Sequence, residues 1–571
     1  MLTGLPETPK ELMSWDWPQF QPFAKHLAKV HLNSENVEEW LRDWSLLSEC
    51  VDELYNRLAV AITVNTADKA AERQFNHFMD SIYPKMMEAD QELKLKLLES
   101  GLEPAGFEIP LRNYRAEAKL FKANNLPLFA EEQKLSNEYN QIIGAMTVQW
   151  QGRELTISQL EPVYQNLDRG IREQAWRLAT ERHLADRQAI NKLWQKFLAL
   201  RLKLATNAGM PDYRAYRWQQ LLRFDYSPSD CKSFHNAIEK VAVPAASRIY
   251  ERRRQRLGLK TLRPWDLNVD PLGRAPLQPF KNIAELKEKI SNIFHHVHPE
   301  LGAYFDIMIR ENLLDLDNRK NKAPGGYCTG FNFVHLPYIF TNAVGMQSDV
   351  RTMLHEGGHS FHVFETAGLS YFAQLFVPAE FAEVASMSME LLATPYLTSD
   401  QGGFYTPEEA ARAKIEQLEE VITFWPYMAV VDAFQHWVYE NPAKAEKADQ
   451  CDAEWGALWQ RFLPGVDWSG LEDAMLTGWH RKLHIHTSPF YYVEYGMAQL
   501  GAVQVWSNAL KDQANAVANY RKALSLGGTE ALPQLYEAAG AKLAFDADIL
   551  ERSIALIETK IKEFEAISSG L

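Results

Sequence analysis

The chain has 571 residues, 46% of them hydrophobic and 23% charged, the balance of a globular protein long enough to bury more than one core. Its net charge of −14 excludes the broad basic surface that nucleic-acid phosphates require, so Arg252-Arg253-Arg254 reads as a solvated helix face. No run approaches the roughly 18 apolar residues of a membrane span, and four widely separated cysteines (Cys50, Cys231, Cys328 and Cys451) suit a reducing compartment.

From Met1 to Trp17 the chain carries acids and prolines where a secretory leader shows basic residues and an apolar run, so the expected location is the cytoplasm. Apolar residues at three- and four-residue spacing predict helices over Ser34–Asn56, Thr66–Ser100 and about Arg112–Gly144. Thr147 to Ile157 predicts a hairpin about Gly152, and helix resumes from Ser158 to Ala208. Gly209-Met210-Pro211 interrupts it, and the proline-rich stretch Leu257–Pro279 predicts irregular backbone. After one more helical block, Pro324–Gly345 places aromatic and β-branched residues between Gly and Pro, the pattern of a small sheet. From Asp349 onward the pattern is helical again, with breaks near Gly402, Pro442, Pro464, Pro489 and Gly527-Gly528. The fold class is therefore mainly α, and no repeat of 20–50 residues suggests a solenoid.

His355-Glu356-Gly357-Gly358-His359 carries the chemistry. Two histidines at i and i+4 share one helical face and are able to offer a nitrogen each to one zinc ion, while Glu356, one position along, reaches water beside the metal without occupying it. Asp349 is a plausible N-cap for this helix. The two glycines cost helix stability, about 1 kcal/mol each, which makes sense if another backbone or a substrate approaches closely. A catalytic zinc takes three protein ligands, and Glu365, ten residues after His355, rules out the longer three-histidine pattern. The third ligand must come from elsewhere. The apolar run from Pro378 carries Glu380, Glu383 and Glu390, and spacing leaves all three open. Downstream, His484, His486, Tyr491, Tyr492 and Tyr495 offer uncharged donors for a carbonyl oxygen that gains charge during peptide hydrolysis.

These segments, His355 to His362, Glu380 to Ser386 and His484 to Tyr495, resemble the M3 family of zinc peptidases, in its oligoendopeptidase F branch, and a looser likeness runs from about Phe129 to Leu543. The resemblance implies a large, two-lobed helical body with a deep substrate channel and a small sheet beside the zinc helix. It implies an N-terminal helical domain over 1–190 and a catalytic domain over 191–571. It also implies one zinc per chain on His355, His359 and Glu383, with Glu356 as general base. Carried over residue by residue, His484, Tyr492 and Tyr495 stabilise the oxyanion, with His486 and Tyr491 close by as substrate contacts. Gly325 and Gly326 fall in the tract of the family's short sheet, whose edge would bind extended peptides. Glu390, sharing a face with Glu383, is expected to support a ligand from behind. The expected activity is endopeptidase action on oligopeptides, with no nucleic-acid or membrane partner. The alternatives are a helical metallocarboxypeptidase, which needs a group for the terminal carboxylate, and a non-enzymatic helical scaffold.

Overall fold

The computed structural model describes residues 2–568. Its first long helix, α1 (Val37–Val64), buries an apolar face that includes Trp40, Trp44, Leu47 and Leu54. Two further helical stretches follow in place of the single one expected over 66–100, joined by a π-helical turn at Phe78–Ile82. The block expected over 112–144 is also divided, because Pro127 opens a new helix at Leu126–Gly144. The hairpin forms as read: β1 (Thr147–Trp150) pairs antiparallel with β2 (Arg153–Thr156). Gln151 and Gly152 both take positive φ (48° and 79°), as a two-residue turn between twisted strands requires.

Beyond it come the long helices α2 (Pro228–Arg256) and α3 (Ile283–Val297), then a three-stranded sheet. The sheet is larger than expected. Strand β3 (Leu314–Asp317) lies outside the predicted tract and runs parallel to β5 (Leu336–Ala343), while β4 (Tyr327–Phe331) pairs antiparallel on β5's other side and forms an edge. Five helices complete the frame: α4 (Gln347–Thr366), α5 (Ala379–Leu392), α6 (Pro407–Glu440), α7 (Tyr492–Ala509) and α8 (Ala547–Ser568). Among the described residues no helix is long and apolar enough to cross a membrane.

Apolar side chains gather into one large core, drawn from Leu120 to Ile561, and a second one built mainly from residues 12–111 with Ala130, Tyr371 and Ala373. The sheet joins them. Asn332 Nδ2 donates to Asp52 at 2.7 Å, the Val334 amide donates to Glu53 at 3.1 Å, and Asn56 Nδ2 donates to the Gly330 carbonyl at 3.0 Å, fixing the β4–β5 turn to α1.

The glycine pair of α4 is a packing feature. A Cβ at Gly358 would sit 2.6 Å from the Ala385 carbonyl oxygen and from Ser386 Cα, so α4 and α5 touch backbone to backbone. A Cβ at Gly357 would sit 2.3 Å from the Phe294 ring of α3. Gly358→Ala gains about 1 kcal/mol of helix propensity yet forces a close-packed interface apart, which costs about 1–3 kcal/mol. The expected result is a lower urea midpoint; an unchanged or raised midpoint would mean that α4 and α5 part freely.

Candidate metal centre and cleft

Helix α4 begins two residues before Asp349. That carboxylate caps it from the first turn, accepting the amides of Val344 (2.9 Å), Gly345 and Met346 (both 2.7 Å). One turn further on, His355 and His359 project side by side, their ring centroids 5.0 Å apart. The crossing at Gly358 brings in α5. Glu383 Oε2 lies 3.3 Å from His355 Nε2 and 3.5 Å from His359 Nε2.

The three acids of α5 part company by their partners. Glu383 faces the histidines. Its Oε1 accepts from the Tyr491 hydroxyl at 2.5 Å and its Oε2 from Ser386 Oγ at 3.0 Å. Glu390 Oε1 accepts from His355 Nδ1 at 2.8 Å, which keeps a proton on Nδ1 and leaves Nε2 as the nitrogen that faces Glu383. Glu380 turns away: it accepts from Tyr226 at 2.5 Å and lies 3.4 Å from Arg223. Burial alone would raise the Glu383 carboxyl, but the two imidazoles outweigh it and hold it well below the usual range. Two nitrogens and one anionic oxygen, all within 4.8 Å of one another, fit the donor set of a catalytic zinc.

Glu356 is 5% exposed, and its Oε2 has no hydrogen-bond partner. Burial pushes its carboxyl up, against the pull of His355 and His359. A Cβ on Gly326, the residue before β4, would stand 3.3 Å from Glu356 Oε1, a tight contact that glycine relieves where the chain passes this carboxylate. Gly325 has a different task. Its φ of +87° lies in the left-handed region, and its carbonyl accepts from Asn342 at 2.8 Å.

A cavity of about 680 Å³ opens beside these groups, lined by Gly326, His355, Glu356, Glu390, His484, Tyr492 and Tyr495 among others. His484 Nε2 lies 3.2 Å from the Tyr495 hydroxyl, while its Nδ1 has no partner; burial lowers this imidazole to about 3, so it stays neutral. Tyr491 bonds Glu383 and is thus tied to the ligand set. His486 departs from expectation. It is 0% exposed and stacks on Tyr139 at 4.5 Å, with Trp194, Phe197 and Trp479 around it. Two residues of helix turn the direction by about 200°, so the short helix Leu483–Thr487 sends His484 to the cavity and His486 into the core. Sequence reasoning missed Lys482, whose Nζ donates to the Tyr492 hydroxyl at 2.8 Å, and Arg351, which lies 3.7 Å from Glu390. Neither belongs to a recognisable spacing.

A second buried group, Cys231, Asp432 and His436, lies close enough to hold a cation, but its histidine offers no free lone pair to one. Asp432 accepts from His235 at 2.8 Å, and Arg214 lies 3.3 Å from His436 Nδ1. A guanidinium donates only, so Nδ1 accepts and the proton sits on Nε2, facing Asp432 at 3.3 Å with no lone pair for a metal.

Comparison with known proteins bears on the family and the fold. PZ peptidase A, solved with an inhibitor, superposes with a TM-score of 0.90 at 25% identity over 98% of each chain. An oligoendopeptidase F homolog of Borreliella burgdorferi is 24% identical over 348 residues, covering 59% of this chain and 57% of the relative. The chromosomal oligoendopeptidase F of Lactococcus lactis subsp. cremoris is 22% identical over 340 residues, 57% of this chain and 52% of the relative. The chain thus matches little more than half the length of these curated relatives. The model of peptidase family M3 matches residues 163–554, a span that contains His355 and His359 of α4, the acids of α5 and the tyrosines of α7, and the chain belongs to that family.

Proposed function

We propose that this chain is a zinc-dependent endopeptidase that cuts internal bonds of short oligopeptides. One observation carries the reading: His355, His359 and Glu383 converge beside a cavity lined by Glu356, whose carboxylate has a buried oxygen without a hydrogen-bond partner. Zinc held by these three residues supplies a Lewis acid that favours loss of a proton from water near neutral pH and polarises a carbonyl.

The remaining work falls to the chain's own groups. Glu356 Oε2 accepts a proton from the attacking water and returns it to the leaving nitrogen, and its buried, raised carboxyl is suited to both transfers. The Tyr495 hydroxyl and His484 Nε2, both on the cavity wall, donate to the carbonyl oxygen as it gains charge. Glu390, Tyr491 and Ser386 keep the ligands oriented from behind. The β4 edge offers backbone groups to an extended peptide, which supports tolerance of varied side chains.

Glu356→Gln is expected to keep its zinc and lose turnover of a doubly blocked, internally quenched octapeptide; cleavage by the zinc-replete variant would refute the base assignment. Glu390→Gln should weaken zinc binding about 10- to 100-fold, read by competition with a chelator of known affinity. Tyr495→Phe should lower kcat by about 10²–10³ with little change in KM, in steady-state kinetics on the same peptide.

A further inference from the structure

Five charged side chains of Arg, Lys, Asp or Glu line the cavity: Arg351, Glu356, Glu390, Glu420 and Lys482. Arg351 is paired with Glu390 and Glu420, and Glu390 also holds His355. That leaves two ionisable groups without an ionic partner, one of each sign. Glu356 is the proton carrier of the proposed reaction. Lys482 has no use in it.

Lys482 is held in a demanding position. Its Nζ donates to the Tyr492 hydroxyl at 2.8 Å and sits over the rings of Tyr492 (4.0 Å) and Tyr427 (5.3 Å). Among the described residues no carboxylate lies within ion-pair distance of it. Neighbouring Arg481 likewise has no carboxylate partner there, and its guanidinium donates to the Ala474 carbonyl at 3.2 Å. An ammonium has three donors, and one is used. Contact with ring faces recovers only part of the hydration lost on burial. Burial accordingly pulls this amine down to about 7, with no neighbouring charge to offset it. A half-buried cation left unpaired on a ligand-binding wall is explained when the ligand brings the counter-charge.

We infer that Lys482 is a specificity-determining residue that pairs with a carboxylate of the bound peptide, so that the cavity takes acid-bearing peptides in preference to neutral ones. The inference rests on the peptidase reading above and narrows its substrate class. The carboxylate has two possible sources, a free C-terminus or an Asp or Glu side chain, and both present the same planar anion.

The test uses zinc-loaded full-length protein and matched octapeptides: neutral with a free C-terminus, neutral with an amidated C-terminus, and amidated with one Glu moved along the sequence. Equilibrium Kd is measured with Glu356→Gln and with the Glu356→Gln/Lys482→Met double variant; kcat/KM is measured with wild type, Lys482→Met and Lys482→Arg. Acid-bearing peptides are expected to bind at least about tenfold more tightly than the amidated neutral one. The same ratio should appear in kcat/KM, fall to near one in Lys482→Met, and return in part in Lys482→Arg. Each ratio is internal to one variant, so a general loss of activity does not mimic the result. Preference for the free C-terminus identifies that source; preference for Glu at one position identifies the side chain. Equal affinity for acid-bearing and neutral peptides, or a preference that survives Lys482→Met, would overturn the inference. Absence of cleavage in every arm would overturn the peptidase reading instead, while the Kd ratio would still decide for or against Lys482.

Discussion

The backbone contact of α4 with α5 at Gly358 sets the position of every ligand in the candidate metal centre. Zinc–ligand bonds of about 2.0–2.2 Å tolerate little error, and Glu383 sits on a different helix from the two histidines. With Gly358 pressed on Ala385 and Ser386, α5 has no freedom to approach or withdraw. The same segment of α5 is held from other sides. The Tyr520 hydroxyl donates to the Ala385 carbonyl at 2.9 Å, and a Cβ at Gly501 of α7 would meet Val384 at 3.0 Å. Close packing of this kind transmits position without slack, which a ligand set drawn from two helices requires.

Buried charge provides a second fixation, one turn away from the ligands. Arg223 Nη2 donates to Glu494 at 2.5 Å and to the Phe490 carbonyl at 2.6 Å, while its Nε lies 3.4 Å from Glu380. The arginine therefore ties α5 just before Glu383 to α7 just before Tyr495. One guanidinium between two carboxylates is balanced when one acid takes up a proton, and burial holds the Glu494 carboxyl well above its usual range. Such a group contributes positional definition more than net stability, because desolvation consumes most of the Coulombic gain. Removing Arg223 alone would strand two acids in the interior.

How much of this could be read from the sequence follows from the range over which each feature is encoded. The two histidines and Glu356 lie within five residues of one helix, so their geometry is local and legible. The glycine pair pointed to a close approach, and the structure supplies the neighbours, Phe294 on one side and the α5 backbone on the other. The third acid was not readable from spacing. Glu380, Glu383 and Glu390 differ in what they meet, and Glu380 meets Tyr226 and Arg223, more than 150 residues earlier in the chain. His486 was misjudged because a five-residue helix is too short to display a periodicity that separates its two sides. Strand β3 was missed because Leu-Asp-Leu-Asp carries no β-branched or aromatic residue, and its parallel partner β5 follows 18 residues later, beyond the reach of hairpin signals.

The cleft and the metal centre share part of their support. Ligand distances depend on α4, α5 and α7, all within the larger core. Strand β4 follows Gly326 of the cavity wall; it pairs along its whole length with β5 and is also tied to α1 through Asn56 and the Asn332 and Val334 bonds to Asp52 and Glu53. Helix α1 belongs to the second core. The sheet therefore ties the cavity wall to both cores, since Phe331 of β4 and Ile339 of β5 belong to the larger one. Gly326, just before β4, brings this wall against α4, where a Cβ would stand 3.3 Å from Glu356 Oε1.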